Sequence, residues 1–277
     1  MHAILAQHAE ISMSVPKELN FFTWHWERGL DWYAAQFDDL PVRGEATPEY
    51  TVYPGWPETA ERVGRTLPEA RLIYLVRDPV ERVISHWQHV VTAGVFRKPF
   101  EETILSPSFR GSQFAQRTRY QAQLDRYLAY FPREAVLVVS LEQLITNRRK
   151  TLRRVLAHVD LDPNDAEALE PAWINQSTDR RRPPPPIPLL RTLYGDRHVP
   201  DRVLRIQHGL TRRFGRQLSP VNASLAAVSA IASAVEADLR VFAARYPAIV
   251  AGWPTWKRVE ESESRMSALP RRANRSY

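Results

Sequence analysis

Arg71-Leu-Ile-Tyr-Leu-Val-Arg77-Asp-Pro-Val-Glu-Arg-Val-Ile-Ser85-His-Trp87 reads as a buried strand that runs straight into a helix. Leu72–Val76 is an apolar, β-rich run of the length a parallel core strand needs. Arg77 leaves the strand, Asp78 can cap, and Pro79 suits the first helical position, where its missing N–H is not needed. Beyond it Val80, Val83, Ile84, Trp87 and Val91 recur at helical spacing and predict a core-facing stripe. Arg82 and Ser85 share a more polar face. An arginine at the strand end and a serine further along the helix can converge on one phosphate. On the residues alone, the same pattern equally fits a structural strand-to-helix turn with a surface arginine.

Outward from this stretch the chain alternates strands and helices. Residues 52–67 predict a helix before the strand, and 100–105 a short helix beyond a loop. Residues 135–139 form a second apolar run, and 141–159 a long helix after it. The alternation predicts an α/β fold, a three-layer arrangement with a largely parallel sheet covered by helices. Arg180-Arg-Arg182 followed by Pro183-Pro-Pro-Pro186 reads as a stiff extended connector. Residues 225–246 form an Ala-rich helix expected to pack back on the domain. The expected organisation is one α/β domain over 1–256 with a helical C-terminal part, then a polar, aperiodic, mobile tail over 257–277.

A chain of 277 residues can bury a full core. No apolar run approaches the length of a membrane span, and no signal peptide is read at the N-terminus. With no cysteine, disulfides, thiolate ligands and thiol nucleophiles are excluded, and a cytoplasmic location stands unopposed. Arg outnumbers Lys by 34 to 4, a composition associated with GC-rich bacterial genomes. The net charge of +7 suits an anionic partner, such as a nucleic acid, a polyanionic nucleotide or an acidic sugar. No nucleic-acid module is recognisable, and none is expected as a partner. The densest basic run, Arg148-Arg-Lys-Thr-Leu-Arg-Arg154, lies on a helix whose Leu152, Val155, Leu156 and Val159 face the core, so it reads as a solvated face. The eight His show no ligand-like spacing, and no metal site is expected.

Arg77-Asp-Pro-x-Glu-Arg-x-x-Ser85 resembles the 3′-phosphate-binding segment of sulfotransferases, particularly the heparan sulfate branch and its bacterial relatives. Other blocks follow in the same order. Pro16-Lys-Glu-Leu-Asn-Phe-Phe22 resembles Lys-Glu-x-His-Phe-Phe, with Asn20 where His is common. Gly29-Leu-Asp-Trp-Tyr33 is similar to a Gly-x-x-Trp-Tyr helix, and Gly44-Glu-Ala-Thr-Pro-Glu-Tyr50 to Gly-Glu-x-Thr/Ser-Pro-x-Tyr. Tyr120, Leu124, Tyr127, Phe131 and Pro132 match a family helix, and 135–140 the strand after it. The resemblance covers about residues 1–160. One block departs from the pattern. The family's first strand, with its Gly/Ser/Thr-rich loop and a Lys for the 5′-phosphosulfate, is not found before His2. No Gly occurs before Gly29, and no Gly-x-x-x-x-Gly-Lys anywhere. The expectation is a P-loop-like sulfotransferase fold with its first strand missing, either from a start further upstream or in a degenerate member.

The resemblance implies 3′-phosphoadenosine 5′-phosphosulfate (PAPS) as co-substrate, without a metal. Arg77 and Ser85 would bind its 3′-phosphate, and Tyr120 and Arg181, in the run 180–182, would add contacts. Read on their own, Tyr120 is equally a core aromatic and 180–182 a solvated charge run. Glu18 would be the base that takes the acceptor proton, with a pKa raised by Phe21, Phe22 and Trp24 around it, and Lys17 would supply charge to the bridging oxygen. Without the resemblance, Glu18 beside Lys17 is a solvated loop carboxylate. The implied activity is sulfuryl transfer to a hydroxyl or amine of a carbohydrate, glycolipid or small molecule. The alternatives are a catalytically inactive nucleotide-binding relative and a nucleotide or sugar kinase. The missing Gly-x-x-x-x-Gly-Lys pattern argues against the kinase.

Overall fold

The computed structural model describes residues 1–172, 180–182, 206, 209–211 and 213–267. The Pro183–Pro186 connector lies outside them. The expected strand is β3, Leu72–Val76, following β1 (Ile11–Met13) and β2 (Val42–Gly44). β4, Val136–Ser140, runs parallel to β3 in the register Leu72↔Val136 to Val76↔Ser140. β1 and β2 form a second parallel pair, Ile11↔Val42 to Met13↔Gly44. A two-residue antiparallel pair joins β5 (Arg181–Arg182) to β6 (Arg216–Gln217).

The α/β class and the parallel strands are therefore observed. The single central sheet is not: among the described residues the strands hydrogen-bond in three separate pairs. β3 is bonded on one edge only, and Leu75 is left 39% exposed. That is unusual for a strand whose sequence is apolar throughout.

Helices cover both faces of the β3–β4 pair. Tyr74, Val76, Val136 and Val138 pack with Tyr120, Leu239, Phe242 and Trp253. Ile73, Leu137 and Val139 pack on the other face with Leu144, Leu152 and Leu156. The alternation follows from the strand period, which sends successive side chains to opposite faces. The C-terminal Ala-rich helix Leu225–Arg245 supplies much of the first layer, as its pattern predicts.

Three expected boundaries move, each for a local reason. The helix over 52–67 shortens to Thr59–Thr66, because Pro54, Gly55 and Pro57 interrupt its start. The helix over 141–159 divides into Leu141–Thr146 and Arg148–His158 at Asn147, whose backbone leaves the helical region at φ −131° and ψ 46°. The tail does not begin at 257. The final helix spans Pro254–Ser267, and Val259 on it is buried in the core, so residues 268–277 alone lie outside the described part.

The helix after β3 is α4, Pro79–Thr92, with Val80, Val83, Trp87 and Val91 on its buried face. Asp78 caps it. One carboxylate oxygen accepts from Val80 N at 2.9 Å and from Glu81 N at 3.4 Å. The same carboxylate accepts from Thr255 N at 3.0 Å and from the Thr255 hydroxyl at 2.8 Å. Asp78 is only 3% exposed, so these donors have no water to fall back on. Asp78→Ala removes the cap and strands buried donors of Thr255, and should cost about 3–5 kcal/mol. Urea unfolding measures it, and a loss below about 1 kcal/mol would remove Asp78 from this role.

Candidate functional site

Two walls hold the side chains expected from the sequence. The first is the start of α4. Arg77 stands at the end of β3, one-third exposed, and its guanidinium meets Glu81 at 2.7 Å one turn on. Its backbone carbonyl accepts the Tyr120 hydroxyl at 2.6 Å. Tyr120 itself is buried among Tyr74, Phe242 and Trp253, so in this structure it fixes the Arg77 backbone from within the core.

Ser85 lies further along α4 and is met by Arg180, one residue before the Arg181 picked out by sequence. Arg180 donates to the Ser85 carbonyl at 2.8 Å, to the Ser85 hydroxyl at 3.3 Å and to the Gln88 side-chain carbonyl at 3.0 Å. Burial lowers the Arg180 pKa, and the nearby Arg77 charge lowers it further. Among the described residues no carboxylate lies within ion-pair distance of Arg180. Arg181 turns elsewhere, donating to the Gly215 carbonyl at 3.2 Å within the antiparallel pair. Arg180 thus contacts the Ser85 hydroxyl and lies near the Arg77 charge.

The second wall is the turn after β1. Lys17 and Glu18 pair at 3.0 Å, with side chains 39% and 44% exposed. The aromatic enclosure expected around Glu18 is not formed. Phe21 and Phe22 turn into the core, and Trp24 is on the surface. Glu18 and Asn20 both have left-handed backbones, with φ of 63° and 53°, a region unfavourable for a glutamate. The neighbours hold the turn in that shape. The Asn20 side chain donates to the Glu18 carbonyl at 2.8 Å, and Phe22 N donates to the Tyr50 hydroxyl at 3.2 Å. Lys17 also borders a cavity of about 170 Å³ that has Arg148 on its wall.

The sequence reading largely missed a set of polar pairs. Arg117 clamps Glu49 with two bonds, at 2.8 and 3.0 Å. Arg82 bonds the His86 ring at 3.2 Å, and burial followed by the Arg82 charge pushes His86 down to about 2. Glu45 is enclosed beside Tyr50, which hydrogen-bonds it, while its Oε2 has no partner. Burial pushes the Glu45 carboxyl up to about 7, against the opposing effect of that hydrogen bond. Glu45, Glu49 and Tyr50 were signalled only by their place in the Gly44–Tyr50 block, Arg82 and His86 by the polar spacing of α4, and Arg117 by nothing local.

Residues 49–165 match the sulfotransferase family. The match covers less than half of the chain, which over that segment is similar to sulfotransferases. It is 38% identical over 89 residues to the membrane-associated sulfotransferase kil1 of Dictyostelium discoideum, covering 30% of this chain and 18% of that protein. It is 32% identical over 145 residues to human heparan sulfate glucosamine 3-O-sulfotransferase 6, covering 50% and 42%. The chain thus spans less than half the length of these relatives. The crystal structure of a sulfotransferase from Alicyclobacillus acidocaldarius superposes with a TM-score of 0.50 at 25% identity, covering 58% of this chain and 75% of that one.

The matched segment contains Arg77 and Ser85, while the Lys17–Glu18 turn precedes it. Among the described residues no helix is long and apolar enough to cross a membrane, and no three potential metal ligands cluster.

The buried carboxyl makes stability depend on pH. Folded Glu45 keeps its proton to about pH 7, whereas an ordinary glutamate loses it near 4.5. Its contribution is complete below pH 4.5 and is lost as pH rises through 7. Glu45→Gln stays neutral, so its stability relative to wild type should rise by up to about 3 kcal/mol between pH 5 and 8. Urea midpoints across that range measure the difference, and a pH-independent gap would show Glu45 to be solvated.

Proposed function

We propose that the chain transfers the sulfuryl group of PAPS to a hydroxyl or amine of a carbohydrate, glycolipid or small-molecule acceptor. The observation that carries this reading is the approach of Arg180 to Ser85 and to the Arg77 charge on the β3–α4 unit, with Arg77 and Ser85 inside the segment that matches the family. Two guanidinium groups beside a hydroxyl suit a phosphate dianion, which accepts several charge-assisted bonds at once. The reading gives Arg180 the place first expected of Arg181. Tyr120 keeps Arg77 in position from behind.

In the reaction the acceptor oxygen or nitrogen attacks sulfur in line with the leaving 5′-phosphate oxygen. A bond from acceptor to sulfur forms, the bond from sulfur to the phosphate oxygen breaks, and adenosine 3′,5′-bisphosphate leaves. Glu18 takes the acceptor proton, and its exposure leaves the carboxylate open to an incoming group. Lys17, beside Glu18 and the cavity, supplies positive charge as the leaving oxygen gains electrons. No step in this scheme calls on a metal ion.

Arg77→Ala and Arg180→Ala should each weaken adenosine 3′,5′-bisphosphate binding by about tenfold to a hundredfold without unfolding the chain. Calorimetry showing equal affinity for nucleotides with and without the 3′-phosphate would overturn the assignment. On the acceptor side, Glu18→Gln keeps the shape but loses the base, and should lower turnover by about a hundredfold to ten-thousandfold with nucleotide affinity nearly unchanged. Transfer of labelled sulfate from PAPS to a panel of acceptors reads this out. Full turnover in Glu18→Gln would place the base elsewhere.

A further inference from the structure

Two tryptophans held at the surface have no role in the fold described above. Trp24 closes the turn that carries Glu18 and is 50% exposed, although Phe21, Phe22 and Thr23 just before it are buried. The turn is tightly fixed: the N–H groups of Thr23, Trp24 and His25 all point to the Asn20 carbonyl, at 3.3, 2.9 and 3.1 Å. Trp56 comes from a separate segment, the Pro54-Gly55-Trp56-Pro57 turn, and its ring centroid lies 6.2 Å from that of Trp24 with the planes inclined by 39°. Next to Trp56 stands Tyr53, with its ring 37% exposed. Gln123 locks the Tyr53 backbone from both sides, accepting from its N–H and donating to its carbonyl, each at 2.9 Å. The Arg126 guanidinium covers the Tyr53 ring at 4.6 Å and has no carboxylate within ion-pair distance among the described residues.

We propose that Trp24, Trp56 and Tyr53 form a stacking platform for a sugar ring of the acceptor, with Arg126 receiving an acidic substituent of that sugar. The proposal deepens the transferase reading and rests on it. Three features carry it. Rigid backbone frames hold Trp24 and Tyr53 open to water, with Trp56 half-buried beside them, and the exposed faces would gain by being covered. One face of a pyranose presents C–H groups that pack flat on an indole, while its hydroxyls stay at the rim for polar neighbours. The cation at the rim, bonded to the Pro57 carbonyl at 3.4 Å, has no carboxylate partner among the described residues, and an acidic sugar supplies one. Trp24 also places the platform on the turn of the candidate base, which is where an acceptor must lie.

The test is a tryptophan-fluorescence titration of the whole chain with three probes: chitotetraose, a tetrasaccharide of alternating glucuronate and N-acetylglucosamine, and 4-nitrophenol. Wild type should bind both tetrasaccharides, the acidic one more tightly. Trp24→Ala and Trp56→Ala should each weaken both by about tenfold. Arg126→Gln should weaken the acidic tetrasaccharide alone. Thermal melting checks that each variant folds, which the exposure of these side chains favours. Nucleotide affinity should be unaltered in all three variants. Failure of wild type to bind either tetrasaccharide, binding of 4-nitrophenol alone, or unaltered affinities in both tryptophan variants would overturn the proposal. The two readings fail separately. Saccharide binding that depends on the tryptophans, without any sulfate transfer, sinks the transferase reading and keeps the platform. Transfer with kinetics indifferent to Trp24 and Trp56 does the reverse.

Discussion

The Asp78 carboxylate is the point on which the arrangement depends. It caps α4 and accepts both Thr255 donors, so one buried charge ties the strand-to-helix turn to a segment 177 residues away. A second carboxylate completes the joint. Glu142 accepts from Asp78 N at 3.0 Å and from the Trp253 indole at 3.1 Å. Both charges are satisfied by N–H and O–H donors, the condition under which a buried carboxylate is tolerable. The result for Arg77 is a backbone held on every side. The β3–β4 register fixes it from before, Asp78 from after, and the Tyr120 hydroxyl from beneath. The side chain, one-third exposed and paired with Glu81 one turn on, is what remains to meet a ligand.

The β3–turn–α4 unit was legible in the sequence because each of its determinants is local. An apolar run, a capping acid, a proline at the first helical position and a helical stripe all lie within twenty residues. Glu18, Lys17, Arg77 and Ser85 came from the same local blocks, through family resemblance. What was not legible depends on distant partners or on phase. Nothing in the neighbourhood of Asp78 announces Thr255. In a run of three arginines the composition is uniform, and only the register against residues 216–217 decides that residue 180 faces Ser85 while 181 faces Gly215. The division of the strands into separate pairs was equally hidden, since an apolar run says that a strand is buried but not which neighbours it has.

Glu18 and Glu45, on the side of the second wall, illustrate how environment assigns roles. Glu18 was expected to be enclosed and Glu45 was not singled out. The structure reverses the enclosure. Glu45 sits against Tyr50 with one oxygen unpartnered, and burial keeps its proton on to about pH 7. Glu18 is open, ion-paired to Lys17, and carried on a left-handed backbone. Left-handed residues other than glycine persist where surrounding contacts over-determine them, and such places cluster at functional sites. Here the contacts are those of Asn20 and Tyr50, and Tyr50 is in turn bonded to Glu45. The buried acid therefore acts on the turn through the tyrosine and needs no contact with a ligand to matter.

Charge balance at the other wall sets the direction of coupling. Arg77 has Glu81 as a partner, while Arg180 has no carboxylate of its own among the described residues, and burial, then the Arg77 charge, lowers its proton affinity. Two guanidinium groups near each other repel, and in a partly buried place water screens that repulsion less than at the surface. An anion between them replaces the repulsion with charge-assisted bonds to both. Arg180 is attached to the domain here through its contacts with Ser85 and Gln88 on α4 and through the short antiparallel pair that follows it. Any dianion bound at this point therefore joins α4 to the segment containing Arg180, and the binding free energy is shared between holding the ligand and holding that segment in place.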